Sequence, residues 1–443
     1  MDVAPARPRG LTFLRTLASS QLALWIVFVI AHVWLALVAL YGRGLPLGDV
    51  TLVYKFWVEQ AFDNGLWVGI DSAWVYPMLA LVPMLGAAAL GMDQYGPTWL
   101  SIVLLLNAVA LGFLTGWGRR SDRTVAGWWW NAFLVLLGPI ALGRIDSITV
   151  PVALVGVLFL ATRPLLASVI LAVATWIKVW PAALVLAAIV AVRERLKVVA
   201  GALITTLVVL LGALALGASS SVLSFITEQT GRGLQIESPV STIWMWMARA
   251  GLPGTRVYYD QDILTYQVFG PGSAVAAAIM TPVMAVAVAA IVFLAIRALR
   301  AGASAGDVLA PLALALVTAL IAFNKVGSPQ LVSWLAVPIV LGLVTSAAGL
   351  GRSFRTPASI ALVIAALTQL VYPYFYGWLL ALDVPMLSVL TARNILYFVL
   401  LGWAVTAIVT APRWSLAAGP EHGDDVAAWP FGEPAAVPAS GKD

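Results

Sequence analysis

Leu22-Ala23-Leu24-Trp25-Ile26-Val27-Phe28-Val29-Ile30-Ala31-His32-Val33-Trp34-Leu35-Ala36-Leu37-Val38-Ala39-Leu40-Tyr41 is twenty residues long and carries no charge. As a helix rising about 1.5 Å per residue, such a run matches the roughly 30 Å hydrocarbon layer of a bilayer. It is longer than the h-region of a signal peptide, about 7–15 residues. It therefore reads as an uncleaved first span, with Arg7, Arg9 and Arg15 ahead of it in the cytoplasm.

The pattern recurs along the chain. Apolar runs at 22–41, 76–91, 98–116, 125–142, 148–162, 165–192, 198–217, 273–298, 307–323, 331–347, 357–372 and 387–411 predict an all-α polytopic protein of about twelve spans. With 62% hydrophobic and 10% charged residues, the composition exceeds what a soluble core can bury. Lipid must be the solvent for residues 1–411, a single transmembrane unit. From 412 to 443 the chain turns to Ala, Pro, Gly and acids, which reads as a disordered cytoplasmic tail.

The net charge of +5 comes largely from arginines in short links, as the positive-inside rule expects of a multi-pass plasma-membrane protein, so it does not imply a nucleic-acid partner. With both termini cytoplasmic, Arg193, Arg195, Lys197, Arg297, Arg300, Arg352 and Arg355 fall inside. Arg119, Arg120 and Arg123 fall outside, against the rule, so a span is misplaced within 76–147 or the 165–192 run is broken at Lys178-Val179-Trp180-Pro181. The chain has no cysteine and two histidines, His32 and His422, which excludes disulfides, thiolate catalysis and a multi-histidine metal site. No cofactor is called for, and a divalent metal is left open.

Irregular sequence collects on the outer face, in long links at 42–75 and 218–272. The first contains Asp49-Val50-Thr51-Leu52-Val53-Tyr54-Lys55-Phe56-Trp57-Val58-Glu59. Thr51, Lys55 and Glu59 form a polar stripe at a spacing of four, so the segment predicts an amphipathic helix lying at the membrane surface. Asp49 is there either a helix N-cap or a catalytic base. The link ends on Trp74-Val75-Tyr76-Pro77, a helix start with interfacial aromatics.

An aspartate in the first outer link, a surface helix bearing Tyr and Trp, and Tyr-Pro opening the second span together resemble the GT-C class of membrane glycosyltransferases. Within it the chain is most similar to glycosyltransferase family 87, which includes polyprenyl-phosphomannose-dependent mannosyltransferases. Lys178-x-x-Pro181, Arg232-Gly233-Leu234-Gln235-Ile236-Glu237-Ser238 and Asn324-Lys325-Val326-Gly327-Ser328-Pro329-Gln330 extend the likeness. Two departures stand out: Met78 where many relatives have a second proline, and Arg144-Ile145-Asp146-Ser147 where relatives often have Gly-Gln-x-Asn.

The resemblance implies transfer of a sugar, mannose by likeness, from a polyprenyl-phosphate donor to a hydroxyl of a glycolipid or envelope glycan on the outer face. Asp49 is the implied general base. Lys325, Arg232, Lys178 and Lys55 are the candidate donor-phosphate ligands, and Tyr54, Trp57, Tyr76, Glu237 and Gln330 the candidate substrate contacts. A polyprenyl phosphate leaves as a stabilised anion, so one carboxylate and a few cations suffice, whereas glycosidases need two carboxylates.

Plainer roles stand beside these. Lys325 snorkels from a span end, Arg232 pairs with Glu237, Lys55 pairs with Glu59, and Lys178 marks a helix break. The aromatic link Tyr372-Pro373-Tyr374-Phe375-Tyr376-Gly377-Trp378 stacks on a ligand or belongs to the interface belt. Rival functions are a transporter or lipid flippase, or a non-catalytic subunit of an envelope-assembly complex. The absence of a visible internal repeat and of a nucleotide-binding fingerprint favours the lipid-donor enzyme.

Overall fold

The computed structural model describes residues 19–228 and 231–412. The tail beyond Pro412 and the arginines ahead of the first span lie outside the described residues. The chain is predominantly helical. Helix α1 (Gln21–Tyr41) starts where the Ser20 side chain accepts from the Ala23 N–H, 3.2 Å away. Its buried residues Leu24, Phe28, Ala31, His32, Leu35 and Ala39 recur every three or four positions and so share one face. Ile26, Ile30 and Leu37 on its other side are exposed, as expected of side chains that face lipid.

Nine helices among the described residues are long and apolar enough to cross a membrane. They include α4 (Tyr95–Thr115), α5 (Thr124–Leu137, extended by a 3-10 turn to Ala141), α9 (Arg195–Ala215), α11 (Ser273–Arg300), α12 (Ala305–Ala322), α13 (Ala336–Ala347), α14 (Arg355–Gln369) and α15 (Val384–Val409). α12 is the axis of the bundle and packs on α11, α13, α15 and the short helix Ala182–Ala191. Four shorter apolar helices interleave: Met78–Ala87 (containing α3, Leu81–Ala87), α6 (Asp146–Leu158), α7 (Pro164–Ile177) and α8 (Ala182–Ala191).

One expected span is corrected, and the alternative left open at 165–192 is decided. Met78–Ala87 begins and ends at the same end of the bundle. Tyr76 ahead of it packs on Tyr54, and a Cβ on Gly96, in the first turn of α4 that follows, would meet Leu47, Thr51 and Leu40. The segment therefore turns back rather than crossing. The 165–192 run is two antiparallel helices: α7 stops at Ile177, Lys178 is extended, and Pro181 caps α8. Pro181 forces the break because proline has no N–H to continue the ladder.

The corrected span removes the misplaced charge. Gln21 Nε2 donates to Arg120 O and Thr124 Oγ1 at 3.3 and 3.0 Å, so the Arg119–Arg123 cluster lies at the N-terminal end of α1. Phe113 packs on Phe159 there, and Ser168 on α7 bonds Val198 O at the start of α9, which brings Arg193, Arg195 and Lys197 to the same end.

The long links gather at the opposite end. A π-helical turn at Asp49–Tyr54 runs into α2 (Lys55–Asn64), which buries Val58 and Ala61. Ser224 Oγ accepts from Trp74 N at 2.7 Å, tying the second link to the first. That second link departs from an all-helical reading. Besides α10 (Thr242–Arg249) it folds a three-stranded antiparallel sheet of β1 (Leu234–Gln235), β2 (Arg256–Asp260) and β3 (Thr265–Phe269), in the order β1-β3-β2. Val257 pairs with Val268 and Tyr258 with Gln267, and the aromatic, β-branched run 256–260 suits a strand.

Candidate active site

Two neighbouring cavities open at the end that carries the long links. The first, of about 390 Å³, lies between helices and is lined by apolar side chains such as Phe225, Met284 and Phe323, together with Lys178, Arg232 and Lys325. The second, of about 250 Å³, is more polar. Asp49, Arg144, Glu237, Gln330, Tyr372 and Tyr376 are on its wall.

One short segment walls both. Asn324, Lys325 and Val326 face the first cavity, and Gly327, Ser328, Pro329 and Gln330 face the second. Gln235 fixes this segment: its N–H donates to Lys325 O at 3.1 Å, and its Oε1 accepts from Gly327 N at 3.1 Å and from Ser328 Oγ at 3.3 Å. The approach is close enough to require glycine, since a Cβ on Gly327 would overlap Ser238 N and Glu237 C.

In the first cavity the Lys178 ammonium sits 4.8 Å from the Tyr76 ring centroid and 3.5 Å from Asp146 Oδ2. Asp146 is fully buried, and its Oδ1 accepts from the Trp334 indole N–H at 2.6 Å. Trp334 stacks on Trp180 with centroids 5.5 Å apart. The cation-bearing break of the 165–192 run is thus both a helix terminus and part of the cavity wall. Burial holds the Arg232 guanidinium and the Lys325 ammonium below their ordinary values, and the Arg232 charge adds to the effect on Lys325.

In the second cavity Asp49 does not cap its helix. Gly48 occupies the N-cap position without a side-chain bond, and the Asp49 carboxylate instead meets Arg144 Nε at 3.0 Å. Burial by itself would lower the Arg144 value, but the charge of Asp49, with help from Tyr372, holds it above its ordinary range. Asp49 also acts electrostatically on Lys178 in the adjoining cavity.

The expected residues divide as follows. Lys178, Arg232, Lys325 and Tyr76 meet in the first cavity; Asp49, Glu237 and Gln330 meet in the second. Tyr54 is 1% exposed and acts from behind, its hydroxyl accepting from Ile145 N at 3.2 Å. Trp57 packs on Tyr54, Trp74 and Tyr76 and lines neither cavity. Lys55 stands apart from the other cations and pairs with Glu59 at 3.6 Å.

Glu237 does not pair with Arg232. Its partner is Arg393 of α15, with Nη1 2.9 Å from Oε2 and Nη2 donating to Glu237 O at 2.6 Å. Arg144, Asp146 and Gln235 were quoted in the motifs but given no role at the site, and Arg393 was not singled out at all. A signal existed for Arg393, because a charge inside an apolar run is costly unless partnered. Among the described residues no three His, Asp or Glu side chains gather where a metal ion could be held.

The sequence model of glycosyltransferase family 87 matches residues 74–323, more than half the chain. The chain belongs to glycosyltransferase family 87. No curated protein and no solved structure gives a match. This family 87 protein is accordingly a membrane glycosyltransferase with multiple candidate spans. The matched region runs from Trp74 to Phe323 and takes in Lys178, Arg232 and Glu237; Asp49 and the 324–330 segment flank it.

Proposed function

We propose that this glycosyltransferase moves a sugar, mannose by family likeness, from a polyprenyl phosphate to a hydroxyl of a glycolipid or cell-envelope glycan. The reaction takes place at the outer face of the plasma membrane. In this reading the chain crosses twelve times, with α6, α7 and α8 as short crossings and both termini in the cytoplasm. The link-rich end is then outside, the Asp49–Asn64 helix lies on the membrane surface, and every short basic link is inside, in keeping with the positive-inside rule.

The apolar, three-cation cavity suits a phosphate carried on a hydrocarbon chain. The polar cavity beside it, holding Asp49, suits the acceptor. Asp49 takes the proton of the acceptor hydroxyl while that oxygen forms a bond to the sugar's anomeric carbon. The bond from that carbon to the phosphate oxygen breaks, and the polyprenyl phosphate leaves with the electron pair. Lys178, Arg232 and Lys325 stabilise the departing charge more strongly in a partly dehydrated cavity than water would.

The observation that carries the reading is the 324–330 segment, which has a cation on one cavity and the Asp49 pocket on its other side. Membranes carrying Asp49→Asn are expected to contain normal amounts of protein and to transfer no radiolabelled mannose from polyprenyl phosphate. Undiminished transfer removes the base assignment. Lys325→Ala is expected to weaken donor use far more than protein abundance, and the reverse pattern makes Lys325 structural.

A further inference from the structure

Arg144 entered the sequence reading only as part of a departure from the family pattern, yet it has the most connected side chain at the second cavity. Its Nη1 donates to Pro46 O and Gly143 O, both at 2.8 Å, its Nη2 to the Tyr372 hydroxyl at 3.2 Å, and its Nε meets Asp49 Oδ2 at 3.0 Å. Tyr372 in turn donates to Gly44 O at 3.4 Å. Three links distant in sequence, at 42–49, 143–146 and 370–376, therefore meet on one guanidinium.

The backbone is shaped for this meeting. A Cβ on Gly143 would lie 2.7 Å from Pro46 O, and one on Gly44, at φ +84°, would lie 2.9 Å from Pro373 Cβ. The side chain is only 8% exposed, while that of Asp49 is 38% exposed. The guanidinium is thus held from behind by main-chain carbonyls and presents one edge to a carboxylate that remains open to the cavity.

We propose that Arg144 is the positioning residue of the transfer reaction: it holds Oδ2 of Asp49 and so leaves Oδ1 as the oxygen presented to the acceptor hydroxyl. This inference rests on the reading of Asp49 as base. A carboxylate freed from this tie rotates about χ1 and χ2 and spends less time aligned with the reacting hydroxyl, and misplacement of about 1 Å costs on the order of 10²-fold in rate. Arg144 touches neither bond that forms or breaks, so its loss acts on turnover and leaves donor binding in the other cavity intact.

The test uses the full chain, purified in lipid nanodiscs, with separate kcat and KM values for donor and acceptor. Arg144→Ala is expected to lower kcat about 10²-fold with both KM values within about threefold of wild type. Arg144→Lys covers the case in which the alanine variant does not fold. One ammonium cannot reach two carbonyls, a phenol and a carboxylate that the guanidinium serves from three nitrogens, so it is expected to fold and still lose about tenfold in kcat.

Wild-type kcat in the lysine variant overturns the proposal. So does a change confined to donor KM. Full transfer by Asp49→Asn alone refutes the base assignment itself, an outcome distinct from each of these.

Discussion

Breaking the Glu237–Arg393 pair is expected to destabilise the protein far more than deleting both charges together. The side chains are 4% and 2% exposed, and Nη1 and Oε2 are 2.9 Å apart. Arg393 also donates to Glu237 O at 2.6 Å and to Asn394 Oδ1 at 3.0 Å, so the guanidinium is saturated on that side. Arg393→Met leaves a buried carboxylate with no counter-charge, and Glu237→Gln leaves a buried guanidinium. Each single change is expected to cost about 3–5 kcal/mol. The double variant strands neither charge and loses mainly the hydrogen bonds to Glu237 O and Asn394, about 1–3 kcal/mol in total. The coupling between the two sites is then at least about 3 kcal/mol. Equilibrium unfolding in mixed micelles of increasing denaturing detergent, followed by intrinsic fluorescence from the chain's 19 tryptophans, measures all four proteins. Additive costs, or a single-variant cost below about 1 kcal/mol, would refute the view that this pair is a desolvated clamp joining the second link to α15.

Two further outcomes follow from the wall between the cavities. Gly327→Ala places a methyl group against Ser238 N and Glu237 C, backbone atoms that cannot rotate away. The two links must part by on the order of 1 Å, with a loss of about 10²-fold in transfer, and a variant within twofold of wild type contradicts the close approach. For Lys325, burial and the Arg232 charge lower the ammonium's value below the usual 10.5. The charge that would hold a phosphate is therefore lost earlier on the alkaline side than for a free lysine, and donor KM is expected to rise as pH climbs toward 10.5. Lys325→Arg keeps its charge there and should flatten the rise; equal rises in both proteins would detach the effect from Lys325.

The amino-acid sequence by itself determined the solvent of the fold and pointed to the family. An uncharged twenty-residue run such as 22–41 is placed by its own transfer free energy, a property of local composition that needs no partner. The break at Lys178–Pro181 was legible for the same reason, since proline's missing N–H acts on its own helix. The motif residues Asp49, Arg232, Lys178 and Lys325 were likewise visible, as charges scarce in an apolar chain.

Only the tertiary structure decided how these pieces meet. Met78–Ala87 is an apolar helix like a span, but its packing against α4 turns the chain back and carries Arg119, Arg120 and Arg123 to the end where Gln21 lies. Asp49 found Arg144 rather than its own helix N-terminus, and Glu237 found Arg393, 156 residues away, rather than Arg232 nearby. A charge shows in sequence that it needs a partner; which partner it takes depends on the long-range packing that brings donor and acceptor within about 3 Å.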